Sequence, residues 1–548
     1  MNGNAKNLPQ PELTQRQRQI LKLLQAGKVN KEVARELDIG VGTVKQHIVA
    51  LFKKLNVSNR AMAVSRGMDL LHEQESRGPA LTVDGLLERR PCVVLGIALP
   101  EDANPTAVRL MHGALAGLAA ANDAVFLARK GNAGDVIFGI QRVTEYDLAI
   151  ALQTACAVHD DLLALDAGAA GKMRGCVSAG LAVASMKRFG GWTGEAIASA
   201  VIASARDLLQ DVQPGRLAFD PAALELMEVF GIGGQQDMLP IVSFCELKDL
   251  YWTGTRRSYN LTGRDAELSK LDAALGEAAE GRGTLIHLEG EMGMGKSRLC
   301  EEIFQRAIAR KGAAAFYRGL PAALGGNVYD IGSGAECSLD DVAAQLRTQP
   351  GRLPDLVIVD DFHLLDKERQ ALLASAAATA VEKGRLVIFS GRRSGRGSGE
   401  NPGETITLRR LTADSIEELV QETLNAIFAK APQGEIKEIS GMAAGVPLFA
   451  VELARHQGAE RLALPLLVAI NARLDSLSLD RNLLRAIARN ESAATLAETA
   501  ATLGEDAENL HRQVERCVAA GVLSQGADGR ISFTHPLLRQ AIDSLVME

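Results

Sequence analysis

The spacing of apolar and polar positions changes several times along the chain, and these changes divide it into segments. Between residues 13 and 60, apolar side chains recur at helical spacing in three runs, which predicts three helices. Gly27 ends the first run, and a turn at residues 38–42 separates the second run from the third. From residue 92 onward, short apolar runs such as 92–99 alternate with longer helical patterns, which is typical of strands buried beneath helices.

Length and composition indicate a multidomain chain without a membrane segment. The 548 residues exceed what one hydrophobic core supports, and 47% hydrophobic with 23% charged residues is ordinary for a globular protein. We find no run of about 18 apolar residues and no apolar leader, so we expect no membrane span and no signal peptide. The seven cysteines show no C-x-x-C spacing, which indicates free thiols and a cytoplasmic location.

Charge is unevenly distributed along the chain. Residues 1–80 carry 13 Lys and Arg against 7 Asp and Glu, whereas the whole chain has 60 against 67. A basic head on an acidic body indicates that a polyanion binds the head alone.

The third predicted helix of the head carries side chains suited to reading DNA. A short helix, a turn and a longer helix form a helix-turn-helix, whose last helix enters the major groove by its N-terminal turns. Thr43 can cap that helix, while Lys45 and Gln46 lie early enough to reach base edges. Four further cations suit phosphate contacts: Lys31, Lys53, Lys54 and Arg60.

This head resembles the LuxR-type DNA-binding domain. The resemblance rests on L-T-x-R at its start, N-K-E-V-A, G-T-V-K-x-H, and K-L-x-V-x-x-R at its close. It implies double-stranded promoter DNA as partner, binding as a dimer, and RNA polymerase as a second partner. The alternative is a basic helical bundle that serves only for docking.

Residues 92–230 resemble the class III nucleotidyl cyclase homology domain. G-D-V-I-F-G with Asp135, S-A-G-L-A-V after Arg174, and W-T-G-E-A-I-A-S-A carry the resemblance. A cyclase needs two carboxylates to hold two metal ions, but the first strand around Gly96 has no acid. We therefore expect a degenerate domain for dimerisation or ligand sensing, with an unrelated α/β packing domain as the alternative.

A glycine-rich loop between an apolar strand and a helix predicts a nucleotide site. It has the full G-x-x-x-x-G-K-S pattern of a phosphate-binding loop (P-loop). Backbone N–H groups of such a loop surround phosphates, its lysine reaches the β- and γ-phosphates, and its serine hydroxyl binds Mg²⁺. The members of the loop are Gly290, Gly293, Gly295, Lys296 and Ser297.

Two later strands end in charged residues that fit the same site. Residues 356–359 are apolar and lead into Asp360 and Asp361, of which the first suits Mg²⁺ and the second can orient an attacking water. The apolar run from residue 386 leads to Arg392, which we expect to sense the γ-phosphate. Lys296 and Asp361 are the candidate catalytic residues.

The segment from residue 261 onward resembles STAND ATPases, nearest the maltose-regulon-activator type and those joined to cyclase domains. L-T-G-R-D-A-E-L, V-I-V-D-D-F-H-L-L-D and S-G-M-A-A-G-V-P-L-F carry the resemblance. It implies ATP or ADP as cofactor, nucleotide contacts by Arg264, Pro447 and His535, and a winged-helix lid that contains His535.

The chain is thus predicted to be multidomain, with an all-α head, an α/β (α+β) middle domain, an α/β P-loop core and a helical, winged-helix end. The predicted boundaries are 1–75 for the DNA-binding head, 76–91 for a linker and 92–230 for the cyclase-like middle domain. A second linker covers 231–260, the P-loop ATPase core covers 261–456, and the winged-helix lid covers 457–548. We expect a cytoplasmic, nucleoid-associated, oligomeric transcription regulator gated by nucleotide, with slow ATP hydrolysis at most. One alternative is an enzyme, a nucleotidyl cyclase or a constitutive ATPase, with an accessory DNA-binding head; another is a DNA-binding repressor whose nucleotide is purely structural.

Overall fold

A computed structural model describes most of the chain beyond residue 85. The described residues are 86–129, 131–233, 240–247, 251–252, 261–349, 351, 353, 355–392, 403–427, 433–456, 462–490, 494–526 and 528–545. The chain divides into two compact units, Met1–Asp84 and Gly85–Glu548, and the described residues belong to the second. The predicted DNA contacts lie outside the described residues: Lys31, Thr43, Lys45, Gln46, Lys53, Lys54 and Arg60.

The middle part of the chain forms a six-stranded sheet covered by helices on both faces. Its spatial order is β2-β3-β1-β4-β5-β7, and neighbouring strands are antiparallel except for the parallel pair β4 and β5. The strands are β1 (Leu86–Ala98), β2 (Val125–Ala128), β3 (Ala133–Phe138), β4 (Arg174–Met186), β5 (Arg216–Phe219) and β7 (Ile241–Ser243), with a separate pair β6 (Ile232–Gly233) and β8 (Tyr251–Trp252). The helices are α1 (Pro105–Ala121), α2 (Asp147–Leu165), α3 (Ala167–Lys172), α4 (Ala200–Asp211), α5 (Pro221–Val229) and α6 (Phe244–Leu247).

The second half of strand β1, residues 92–98, is continuously apolar because both of its faces are buried. Leu95 and Ile97 pack into the core shared with α1 and α2, whereas Val94 and Ala98 pack into the core on the opposite face with α4. Both faces are buried, so neither set of alternate positions is polar. The sheet uses β1 from Leu86 and also β7, and both elements fall partly or wholly in segments that the sequence pattern assigned to linkers.

Helix α2 is the described helix that is long and apolar enough to cross a membrane by length and composition. Half of its apolar window is buried inside the protein, where Leu148, Ala155 and Leu162 contribute to the core beneath the sheet. The sequence has no uninterrupted apolar run of that length. The mean hydropathy of α2 is nevertheless high, because α2 is a core helix with few polar positions.

The P-loop region forms a second sheet, of seven strands in the order β12-β11-β10-β13-β14-β9-β15. Five neighbouring strands are parallel: β10, β13, β14, β9 and β15. Strands β11 and β12 extend the β10 edge in antiparallel orientation. The strands are β9 (Thr284–Glu289), β10 (Ala313–Gly319), β11 (Val328–Asp330), β12 (Ala335–Cys337), β13 (Asp355–Asp360), β14 (Leu386–Gly391) and β15 (Glu404–Thr407). The helices are α7 (Asp265–Ala279), α8 (Lys296–Ala309), α9 (Leu339–Arg347) and α10 (Lys367–Glu382), with 3-10 turns at Ala322–Leu324 and Phe362–Leu364.

The remainder of the chain is largely helical. A small sheet in the order β16-β18-β17 lies among its last helices, and β17 and β18 pair as an antiparallel hairpin. The helices are α11 (Ala413–Ile427), α12 (Gln433–Ala443), α13 (Pro447–Arg455), α14 (Leu464–Leu477), α15 (Arg481–Arg489), α16 (Leu496–Leu503), α17 (Ala507–Ala519) and α18 (Pro536–Leu545). The strands are β16 (Ala494–Thr495), β17 (Leu523–Gln525) and β18 (Arg530–Phe533).

Buried charges join the middle part to the C-terminal helices. Arg90 of β1 has a fully buried side chain and pairs with Asp475 of α14, which also accepts a hydrogen bond of 2.8 Å from the backbone N–H of Val143. Arg481 of α15 pairs with both Asp475 and Glu88. Because each buried charge has a partner of opposite sign, strand β1 can bury Glu88 and Arg90 next to the helices.

Candidate nucleotide-binding site

The P-loop connects β9 to α8 through two glycines with left-handed backbone conformations. Gly293 and Gly295 have φ angles of 75° and 87°, in the left-handed region that favours glycine. A Cβ at Gly293 would lie 2.8 Å from the Cβ of Leu448, and the Leu448 N–H donates to the Gly293 carbonyl at 3.2 Å. The start of α13 therefore supports the loop, and a side chain at Gly293 would push the two apart.

Lys296 is held inside this loop. Its Nζ donates to the carbonyl oxygens of Gly290 at 3.0 Å and Glu291 at 2.9 Å. The side chain is buried, and this burial lowers the pKa of the ammonium group from its ordinary value. The lysine is therefore positioned at the N-terminus of α8, where backbone N–H groups and the helix dipole favour an anion.

The carboxyl ends of β10, β13 and β14 bring charged side chains to the edge of the sheet next to the loop. Asp360 ends β13, is fully buried, and has no hydrogen-bond partner for either carboxylate oxygen among the described residues. Arg318 on β10 lies 3.7 Å from Asp360 and 3.8 Å from Asp361. A buried carboxylate that accepts no hydrogen bond from the described residues and whose charge acts on Lys296 of the loop fits the oxygen ligands that Mg²⁺ prefers.

Asp361 follows Asp360 and has a strained backbone. Its φ is 54°, an uncommon value for a residue other than glycine. Burial, together with the negative charge of Asp360, raises the pKa of Asp361 to about 7. The hydroxyl of Tyr146 donates to its Oδ2 at 3.3 Å, so a residue of the middle part reaches this carboxylate.

A cavity of about 300 Å³ lies between these elements. The P-loop forms one wall, and Arg264 and Pro447 lie on others. Arg264 donates to the Met294 carbonyl of the loop at 3.0 Å, which fixes its side chain beside the phosphate site. The volume is that of a ligand cleft of small-molecule size.

The middle part of the chain supplies one wall of the same cavity. Glu145 and Tyr146, just before α2, line the cavity together with Phe230 at the end of α5. Glu145 forms an ion pair with Nη2 of Arg392, the residue that follows β14. The described cavity is therefore closed on one side by the middle part.

One ion pair and one histidine–carboxylate contact hold this wall against α13. Arg455 lies 3.6 Å from Glu228, and Nε2 of His456 lies 2.7 Å from Oε1 of Glu225. Both acids belong to α5, so the helix that carries the wall residue Phe230 is attached to the helix that supports the P-loop.

Most of the predicted nucleotide contacts come together at this cavity. Those that line it are Arg264, Gly293, Gly295, Lys296, Ser297, Asp361, Arg392 and Pro447. Gly290 begins the loop and accepts from Lys296, and Asp360 lies behind Asp361 at the end of β13. Their roles toward a nucleotide stay predictions.

His535 does not line this cavity. It is buried, with Nε2 at 2.9 Å from the Ala443 carbonyl and Nδ1 accepting from the Leu537 N–H at 3.1 Å. Its ring faces a separate small cavity beside Glu291 and Arg473, behind the P-loop. Both ring nitrogens are thus engaged by backbone groups, and a phosphate contact by His535 stays a prediction.

Among the cavity residues that were not expected from the sequence are Glu145, Tyr146, Arg318 and His363. Arg318 lies on a strand whose apolar run is short, and His363 lies in the 3-10 turn that follows β13. Burial lowers the pKa of His363 to about 4, with Arg392 and Lys296 acting in the same direction, so it is neutral near neutral pH. Glu145 and Tyr146 reach the site only through tertiary packing, and no local sequence pattern predicts that placement.

The metal position suggested by the cyclase resemblance is closed by arginines. Asp135 on β3 is fully buried and forms ion pairs with Arg129 and Arg206, with Nε distances of 2.7 and 3.3 Å. Gly96 lies opposite Asp135 on β1, and a Cβ there would meet the Cys176 sulfur at 2.8 Å. Two guanidinium groups thus neutralise the one carboxylate, where a two-metal site needs free carboxylates.

Sequence comparison identifies two segments of the chain. Residues 11–66 match the family model "Bacterial regulatory proteins, luxR family", and residues 260–329 match "AAA ATPase domain". The chain is 42% identical over 72 residues to the HTH-type transcriptional regulator MalT of Vibrio cholerae, covering 12% of this chain and 8% of MalT. It is 49% identical over 59 residues to the CsgBAC operon transcriptional regulatory protein of Escherichia coli, covering 11% of this chain and 27% of that protein.

These relatives are matched over a small part of their own length. Among solved structures, RuvB of Thermotoga maritima has a TM-score of 0.31 and 22% identity, over 49% of this chain and 92% of RuvB; at that score it carries no argument. The two family matches account for both regions whose chemistry the sequence marks. The chain therefore carries a LuxR-type DNA-binding helix-turn-helix and a P-loop ATPase domain.

Proposed function

We propose that the chain is a cytoplasmic bacterial transcription regulator whose binding to promoter DNA depends on the nucleotide in its P-loop cavity. The observation that carries the proposal is the wall that Glu145 and Tyr146 add to that cavity. A nucleotide that enters or leaves this cavity contacts the middle part, the P-loop and helix α13. Its occupancy can therefore alter how those regions pack, which is what a switch requires.

ATP and ADP are the proposed ligands. The P-loop amides and Lys296 suit the phosphates, and Arg264 with Pro447 borders the remaining space. Ser297 and Asp360 would hold Mg²⁺, which neutralises phosphate charge when bound. Asp361 would orient the attacking water, but its partner Tyr146 occupies one carboxylate oxygen in the described arrangement, which favours slow hydrolysis.

Promoter DNA is the proposed macromolecular partner, bound by residues 11–66. Helix-turn-helix heads commonly bind two half-sites about one helical turn apart, so we propose a dimer or larger assembly on the promoter. RNA polymerase is the proposed second partner. The pairing of Asp135 with Arg129 and Arg206 supports a non-catalytic role for the cyclase-like part. In this role, the cyclase-like part responds to the nucleotide that is bound in the cavity.

A pull-down of genomic DNA fragments by the full chain tests the proposal. We expect the captured fragments to differ between ADP and a non-hydrolysable ATP analogue for the native protein. Lys296→Ala should capture one set whatever the nucleotide, because it cannot hold the phosphates. Identical capture by the native protein under both nucleotides would overturn nucleotide dependence, and capture of no fragments would overturn DNA binding itself.

A further inference from the structure

Glu145 presents a carboxylate to the cations that the P-loop domain directs into its cavity. The side chain is 19% exposed and pairs with Nη2 of Arg392. Lys296 is the second cation whose charge acts on this carboxylate. All three side chains line the same cavity.

An ATP molecule on this loop would use the same two cations. The P-loop lysine reaches the β- and γ-phosphates, and an arginine beside the γ-phosphate stabilises its charge. The α- and β-phosphates are held mainly by the loop amides. The anionic group that sits between Lys296 and Arg392 in a complex with ATP is therefore the γ-phosphate, and ADP lacks it.

We propose that Glu145 occupies the γ-phosphate subsite and is the residue by which the pocket distinguishes ATP from ADP. The inference rests on the proposed nucleotide pocket and adds the residue that reads the third phosphate. ADP leaves the pair of Glu145 and Arg392 intact. ATP brings a second anion to the same cations, so the carboxylate must leave before Arg392 can bind the γ-phosphate.

The segment that carries Glu145 is joined to helix α2 by hydrogen bonds. Thr144 donates to Asp147 through its backbone N–H at 3.1 Å and its hydroxyl at 2.5 Å, which joins the segment to the first turn of α2. Tyr146 lies within this segment and binds Asp361. Displacement of Glu145 thus also withdraws Tyr146 from the carboxylate, and it moves the N-terminus of a core helix of the middle part.

Burial explains why the competition is strong. It raises the pKa of Glu145, which Arg392 and Lys296 lower again, so the carboxylate depends on these two cations for its charge. A phosphate that takes the cations leaves a partly buried acid without compensating charge, which favours its departure from the subsite. Glutamine in this position keeps the shape and removes the charge that competes.

The test compares ATP and ADP affinities of full-length native protein, Glu145→Gln and Glu145→Ala by calorimetric titration with Mg²⁺ present. We expect Glu145→Gln to tighten binding of a non-hydrolysable ATP analogue about tenfold and to leave ADP affinity nearly unchanged. Glu145→Ala should show the same selective gain. Glu101→Gln is the matched control, an exposed acid of the same part of the chain outside the cavity.

An equal change in both affinities, or no change in either, would overturn the role of Glu145 while leaving the nucleotide pocket intact. Absence of nucleotide binding by the native protein would instead overturn the proposed function. If the Glu145 variants unfold at lower temperature than Glu101→Gln, the ratio of the two affinities still decides, because partial unfolding lowers both together.

Discussion

The phenol hydroxyl of Tyr146 lies 3.3 Å from Oδ2 of Asp361, although the two residues are 215 positions apart in the chain. Tyr146 precedes a helix of the middle part, and Asp361 follows a central strand of the P-loop domain. The same segment places Glu145 on Arg392. The two groups that we expect to act on the γ-phosphate and on water are therefore engaged by the middle part.

Tyr146→Phe should increase basal ATP hydrolysis a few-fold. The substitution removes the hydroxyl that occupies Asp361 and leaves the ring in place, so a water molecule can reach the carboxylate. Release of phosphate or ADP measures the rate. Tyr317→Phe is the control, since it removes a hydroxyl that donates to Gln345 outside the cavity. Equal rates for native protein and both variants would show that Tyr146 does not restrain Asp361.

Asp475→Ala should destabilise the second compact unit strongly. It removes the partner of Arg90 and Arg481 and of the Val143 N–H. Breaking a buried pair leaves uncompensated charge and costs about 3–5 kcal/mol. Thermal unfolding monitored by fluorescence provides the measurement, with Asp528→Ala as control, because its pair with Arg530 is exposed. A melting temperature as little affected as that of Asp528→Ala would contradict the role assigned to the buried cluster.

Asp147 makes the stability of the unit depend on pH. Burial raises its pKa from 3.8 to about 7, so the folded protein holds a proton that the unfolded chain has already lost above about pH 4. This group therefore contributes less stability as pH rises from about 4 to about 7. Asp147→Asn removes the titration and keeps one of the two oxygen acceptors for Thr144. Between about pH 5 and about pH 8, we expect the melting temperature of the variant to fall less than that of the native protein. Parallel profiles of melting temperature against pH would refute this prediction.

The sequence predicts different effects for two lysines of the head. Lys45→Ala should abolish binding to the target promoter, because Lys45 is expected at base edges. Lys54→Ala should weaken binding to all duplexes alike and reduce its salt dependence, because a phosphate contact carries no sequence information. Footprinting on a captured fragment and on unrelated DNA separates them. Sequence preference that survives Lys45→Ala would mean that other side chains read the bases.

The edge of the P-loop sheet was predictable because it follows from local patterns. Parallel strands end at one edge, so an apolar run ending in Asp360 and another leading to Arg392 must meet beside the loop. The wall made by Glu145 and Tyr146 was not predictable. Their segment has no distinctive pattern, and its place depends on packing between parts of the chain more than 200 residues apart.

The start of strand β1 was also not predictable from the sequence pattern. Its first residues include Glu88, Arg89 and Arg90, a charged stretch that resembles a linker. The structure buries Glu88 and Arg90 because Arg481 and Asp475 provide opposite charges from distant helices. A buried ion pair is visible only when both partners are placed, so one partner alone predicts an exposed segment.

Nucleotide-dependent affinity for a captured DNA fragment is the most direct measurement of the central claim. Fluorescence anisotropy of that fragment, titrated with full-length protein at fixed salt, gives Kd with Mg²⁺ and ADP and with Mg²⁺ and a non-hydrolysable ATP analogue. We expect the two Kd values to differ by about tenfold or more in native protein and to coincide in Lys296→Ala. Equal Kd values in native protein, with both nucleotides shown to be bound, would contradict the switch.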